Sequence, residues 1–156
     1  MMKQGVMLLI LLVTLLGVSG DVLGQVNLDG LSTKTELKQI RDAVNDYIDG
    51  NHFPFRSNDI DWNQTLVTRD ELDDKPGLEA QVHIVAEGFC GASACLNAII
   101  MWRHGRATVV DMIADTVLSI LDAKSHGMHD LEGHYYSYRW DGKAYQQYCT
   151  PENVCD

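Results

Sequence analysis

The chain has 156 residues, with 12 Lys and Arg against 22 Asp and Glu for a formal charge of −10, and it is 46% hydrophobic and 22% charged with three prolines. That balance excludes a wholly disordered, collagen-like or Pro-rich linker chain and suits one domain with a single core. A strongly acidic surface repels phosphate backbones, which excludes nucleic-acid binding as a general role and makes a cationic protein or a metal ion the more natural partner.

Lys3 precedes an apolar stretch at 6–18 interrupted only by Thr14 and Gly17, and small residues follow at Ser19, Gly20 and Gly24. This is the layout of a secretory signal peptide. Thirteen residues at ~1.5 Å each cover about 20 Å, short of the ~30 Å hydrocarbon core that a spanning helix must cross. The expectation is a signal peptide over 1–24, cleaved after Gly24 or else Gly20, and a single α+β domain over 25–156 with no membrane span. Loss of Lys3 and Asp21 together leaves the charge at −10. No cysteine stands near either cleavage point, so a lipid anchor is not expected, and the destination is secreted or periplasmic.

Thr33 and Glu36 form a capping-box pair, and Leu37, Ile40, Val44, Tyr47 and Ile48 recur at helical spacing until Gly50 and Asn51 supply a stop. The spacing predicts a helix over 33–48. Strands follow: 78–86 with alternating Val82, Ile84 and Ala86, the apolar run 96–102, and the β-branched-rich segments 109–113 and 117–121. His104-Gly105, His126-Gly127 and Asp141-Gly142 supply the positive φ values that tight hairpins need, so 96–102 should pair with 107–113 through the first of them. The expected fold is α+β: an antiparallel meander with one N-terminal amphipathic helix packed on one face. A continuous apolar run has no distinguishing period, so 94–102 also admits a short buried helix.

In an oxidising compartment the four cysteines read as disulfides. Four residues separate Cys90 from Cys95 and five separate Cys149 from Cys155. Of the three pairings, the two local ones are expected, since each loop can fold back within the ~5.5 Å Cα separation that a bridge needs. A zinc site is the rival, but neither spacing is C-x2-C.

Phe89-Cys90-Gly91-Ala92-Ser93-Ala94-Cys95 with the later Gly133-His134-Tyr135-Tyr136 resembles the Cys-Gly segment and His-bearing strand of bacteriocin-processing, papain-like peptidases. The resemblance covers some 45 residues and implies Cys90 as nucleophile and His134 as base. Neither Asp nor Asn stands in an obvious orienting position after His134, and a thiol locked to Cys95 cannot attack a carbonyl. The peptidase is kept as the alternative to a structural bridge.

His126, His129 and His134 with Asp130 and Glu132 have the ligand types for zinc but no H-x3-H helix face. Asp59, Asp61, Asn63, Thr65 and Asp70 fall on positions one, three, five, seven and twelve of a calcium loop, with Gln64 where the sharp turn needs Gly and Asp70 where a bidentate Glu belongs. Asn63-Gln64-Thr65 also fits a glycosylation acceptor. There is no G-x-S-x-G, G-x-G-x-x-G or Walker segment. No metal, cofactor or catalytic residue is expected.

Tyr135, Tyr136, Tyr138, Trp140 and Tyr145 should alternate along one or two strands, half facing the core and half the solvent. Exposed tyrosines on a rigid sheet suit protein recognition, with Tyr135, Tyr136 and Tyr138 as the candidates.

Two further resemblances follow. The stretch from His126-Gly127-Met128-His129-Asp130-Leu131 to Tyr138-Arg139-Trp140-Asp141-Gly142-Lys143-Ala144-Tyr145, with the upstream Phe89 to Cys95 segment, resembles small exported bacterial proteins of unassigned function. That match implies export and a small sheet, and it carries no activity. The order of signal peptide, early helix, strands and Cys90-x4-Cys95 loop is similar to periplasmic inhibitors of vertebrate-type lysozyme, whose bridged loop enters the enzyme's cleft. Their loop carries a histidine where this one has Gly91, Ala92, Ser93 and Ala94. The sequence therefore predicts a non-enzymatic binding protein of inhibitor or immunity type. Its binding residues would be Gly91, Ala92, Ser93 and Ala94 of the bridged loop and the three tyrosines, and its partner a protein, preferably cationic.

Overall fold

The computed structural model describes residues 34–75, 79–87, 90 and 95–148. The expected signal peptide over 1–24, Thr33 of the expected capping box, Phe89, Gly91 to Ala94 and the expected Cys149–Cys155 pairing lie outside the described residues.

Helix α1 (Lys34–Gly50) buries Ile40, Val44 and Ile48, one residue every four on a single stripe. It stops where the sequence places the stop: Asn51 donates its backbone N–H to Ile48 O at 3.3 Å and its side-chain amide to Tyr47 O at 2.6 Å, satisfying carbonyls left over at the helix end. A 3-10 turn (Ser57–Asp59) then leads into β1 (Leu66–Arg69), β2 (Glu79–Ile84), β3 (Cys95–Arg103) and β4 (Arg106–Asp115). These four strands form one antiparallel sheet in chain order. β5 (Ser119–Ser125), β6 (Met128–Glu132), β7 (Ser137–Trp140) and β8 (Tyr145–Tyr148) form a second, also in chain order.

The single expected meander is thus two four-stranded meanders, and the helix covers only the first. The reason lies in β3. Its even residues Leu96, Ala98 and Ile100 pack with the helix stripe and with Val67, Ala80, Val82 and Ile84. Ile99 and Met101, on the other face, pack with Leu72, Leu131, Tyr138, Trp140 and Tyr145. A strand buried on both faces has no polar alternation to display, which is why 96–102 shows no period. It is a strand, not a buried helix, and it pairs with β4 as predicted, from Leu96↔Ala114 to Arg103↔Arg106. The residues 116–118 carry the chain from the first sheet to the second.

Three Gly-bearing turns close the hairpins. His104 and Gly105 have φ of 52° and 77°, and His126 and Gly127 have 50° and 83°, the left-handed pairs that two-residue hairpins demand. Between β7 and β8, Asp141 Oδ1 accepts the N–H groups of Lys143 (2.8 Å) and Ala144 (3.0 Å) while Gly142 turns at φ 102°.

Candidate recognition site

The antiparallel order brings the start of β1, the end of β2, the start of β3 and the end of β4 to one end of the first sheet. There Cys90 is bonded to Cys95 with Cα atoms 4.6 Å apart, the local bridge that the spacing predicts. The segment before β1 is stitched to the same end: Asp61 N–H donates to Val85 O (2.8 Å), Glu87 N–H donates to Asp59 O (3.1 Å), and Ile60 bridges Ala86. These contacts leave a cleft of about 560 Å³ walled by Asp59, Asp61, Gln64, Glu87 and Cys90. Three carboxyl side chains therefore stand in one recess beside the bridge.

Asp115 occupies the register position opposite Cys95 and is fully buried. Its carboxylate accepts Thr116 N–H at 2.7 Å, His134 N–H at 2.9 Å and the Tyr138 hydroxyl at 2.9 Å. Burial alone would raise its pKa, but these donors outweigh it and hold the carboxyl below its ordinary value. Burial and the neighbouring Asp115 carboxylate in turn push the Tyr138 hydroxyl above the usual phenol range, so it stays a donor. Asn97, also buried, donates its amide to Asp115 O (3.0 Å) and Thr116 O (2.7 Å). Asp115 thereby fastens the bend at 133–136 against the disulfide end of the first sheet. The bend approaches so closely that a Cβ on Gly133 would overlap the Asp115 carboxylate.

This network rearranges the tyrosines expected to bind. Tyr135 is exposed and stands edge-on to the His134 ring at 4.7 Å; Tyr136 is half-buried. Both precede β7 and so do not follow a strand alternation. Tyr138, placed among the binding residues by the sequence, is buried and engaged with Asp115. Trp140 and Tyr145 are core, with ring centroids 5.1 Å apart. The bridge, the acidic cleft and the Tyr135–Tyr136 bend are thus gathered at one end of the sheet, while Tyr138 serves beneath them.

The remaining sequence candidates separate. His126 Nδ1 lies 2.9 Å from Trp140 O. His129 sits between Leu121 O (2.5 Å) and Asp74 Oδ1 (2.8 Å), and Asp74 also pairs with Lys124. His83 Nδ1 lies 3.0 Å from Asn97 Oδ1. Among the described residues no three His, Cys, Asp or Glu converge on a metal position. The calcium pattern is likewise dispersed. Asp59 Oδ2 accepts Arg56 N–H (2.8 Å), and Asp61 accepts Asn63 N–H (2.9 Å) and the Gln64 amide (2.7 Å). Asp70 stands beyond β1, and four extended residues at ~3.3 Å each carry it about 13 Å away. Cys90 has no free thiol, and the segment after Cys95 is a strand where a papain-like nucleophile would head a helix.

The acidic cleft escaped sequence reasoning because Asp59 and Glu87 lie in separate elements. Asp115 had one signal, an acid closing a β-branched-rich strand. No protein-family model, curated protein or solved structure matches the chain.

Proposed function

We propose that the chain is an exported, non-enzymatic binding protein that engages a cationic protein partner, in the manner of an inhibitor or immunity protein, after cleavage of a signal peptide over 1–24. The reading is carried by the convergence, at one end of the first sheet, of a disulfide anchor, a recess with three carboxyl groups and an exposed tyrosine. A bridged anchor loses little freedom on binding, which spares part of the ordering cost of roughly 0.5–1.5 kcal/mol per immobilised side chain. A charge of −10 steers a basic partner toward the molecule, and the recess supplies the short-range complement. Small side chains at Gly91, Ala92, Ser93 and Ala94 suit entry of the bridged loop into a narrow partner cleft.

The test is association with a set of cationic secreted proteins, vertebrate-type lysozyme among them, followed by titration calorimetry at low and physiological salt. At least one should bind with salt-sensitive affinity. The double change Asp59→Asn with Glu87→Gln should weaken that binding at least about tenfold, and bulky replacement of Gly91, Ala92 and Ser93 should weaken it further, both without loss of folding. Binding to none, or binding indifferent to both variants, overturns the proposal. Thiol titration supplies the opposing result: one reactive Cys90 would return the peptidase reading.

A further inference from the structure

On the other side of the 61–65 turn the surface changes sign. Asp61 and Gln64 face the acidic recess, whereas Trp62 and Thr65 wall a separate cleft of about 340 Å³ between α1 and β1. Leu37, Trp62 and Val67 give that cleft an apolar lining, and Lys34, Lys38 and Arg41 line it from the helix. The three cations stand at i, i+4 and i+7, one face of the helix, so a quarter of the chain's 12 Lys and Arg point at one small opening.

Their charges are largely uncommitted. Arg41 stacks over the Trp62 ring, its guanidinium carbon 5.0 Å from the centroid, which orients the fork without consuming its donors. Among the described residues neither Lys34 nor Arg41 has an ion-pair partner, and Lys38 holds only Asp42 at 2.6 Å, an exposed helix pair of the weakest kind. The molecule as a whole repels anions, so general electrostatics cannot account for an anion here. Attraction must act inside a Debye length of about 8 Å, at the cleft mouth. The volume falls within the range of small-ligand pockets, about 300–1,000 Å³, and too few polar groups line its floor to hold a fully hydrophilic ligand.

From this pairing of an apolar floor with a three-cation rim, we infer that the cleft between α1 and β1 is a binding site for a single-chain amphiphilic anion, its tail over Leu37, Trp62 and Val67 and its carboxylate or phosphate head at Lys34 and Arg41. The guanidinium of Arg41 presents two parallel donors to such a head group, and Trp62 keeps that fork at the mouth. The site is separate from the acidic recess and does not depend on what the recess binds.

Titration calorimetry of the purified protein with decanoate, kept below its self-association concentration, tests this. Saturable one-to-one binding is expected, with decanol (same chain, no charge) and acetate (same charge, no chain) each at least about tenfold weaker. Arg41→Gln and Lys34→Gln should each weaken decanoate about fivefold to tenfold and leave decanol unaltered, with circular dichroism confirming that both variants fold. Lys143→Gln, in the β7–β8 turn, and the Asp59→Asn with Glu87→Gln variant should bind decanoate like the parent. Decyl phosphate reports which head the cations prefer, and binding at least as tight as decanoate's also supports the class. No saturable binding, equal affinity for decanol and decanoate, or indifference to both Arg41→Gln and Lys34→Gln overturns the inference.

Discussion

The two faces of the first sheet are buried by different chemistry. Toward the helix the layer is aliphatic: Ile40, Val44 and Ile48 meet Val67, Ala80, Val82, Ile84, Ala98 and Ile100. Toward the second sheet, Ile99, Leu72 and Leu131 share the interface with buried Glu79, Gln81, Asn97 and Asp115. Apolar contact is non-directional, so packing holds the helix strongly and its register rests on few polar ties, chiefly Gln39 Oε1, which accepts the Trp102 Nε1–H at 3.1 Å and the Ala107 N–H at 3.3 Å. Three acids of the other layer have defined partners: Glu79 accepts Leu72 N–H at 2.5 Å, Asp111 accepts Tyr145 N–H at 2.5 Å, and Asp115 accepts three donors around the bend. Such bonds add modest net stability, but each orphaned partner is costly, so they select one docking of the second sheet over neighbouring ones.

The comparison breaks most visibly at Asp115. Asp115→Ala leaves the buried Tyr138 hydroxyl without an acceptor, at about 1–3 kcal/mol, and removes the acceptor of the partly exposed Thr116 and His134 N–H groups at about 0.5–1.5 kcal/mol each, with overlap between them. Chemical denaturation should show a loss of about 3–4 kcal/mol. The same variant should free the bend, raising proteolytic cleavage around 133–136. On the aliphatic face, Ile100→Ala creates a cavity beneath α1 and should lower stability by about 3 kcal/mol, within the 2–5 kcal/mol usual for such truncations, with the bend undisturbed. Equal disturbance of the bend by both variants would show that the two faces are not independent.

Acid sharpens the contrast with the smallest effect. The depressed Asp115 carboxyl contributes stability that is present above its unfolded value near 3.8 and is lost as pH falls through its lower folded value. Asp111 and Glu79 behave oppositely. Burial raises both, aided by the carboxyl of Asp141 beside Asp111 and that of Asp73 beside Glu79. Their folded forms take up protons first, so stability rises as pH falls through their folded values toward the unfolded values of 3.8 and 4.5. Thermal unfolding followed from neutral pH downward should rise slightly on the mildly acidic side and then drop below about 4. Asp111→Asn should flatten the rise, and Asp115→Asn should shallow the drop; an unchanged profile in both would remove this layer from the acid response. Ile100→Ala should shift the whole profile down without altering its shape.

What could be read in advance was local. The helix stripe, the Gly50-Asn51 stop, the His-Gly hairpins, the pairing of 96–102 with 107–113 and the Cys90–Cys95 bridge each depend on residues close in the chain, whose dihedral and periodic preferences act over a few positions. The division into two sheets, the burial of Tyr138, the dispersal of the calcium pattern and the opposite charge of the two clefts depend on which distant segments meet. Asp59 reaches Glu87 only after the 3-10 turn docks on the end of β2, and Tyr138 reaches Asp115 only after the second sheet folds back on the first. An alternating pattern shows that a strand has a face to bury. It does not record what covers that face, because hydrophobic attraction carries no address, and the address here is written in a few buried acids whose partners come from elsewhere in the chain.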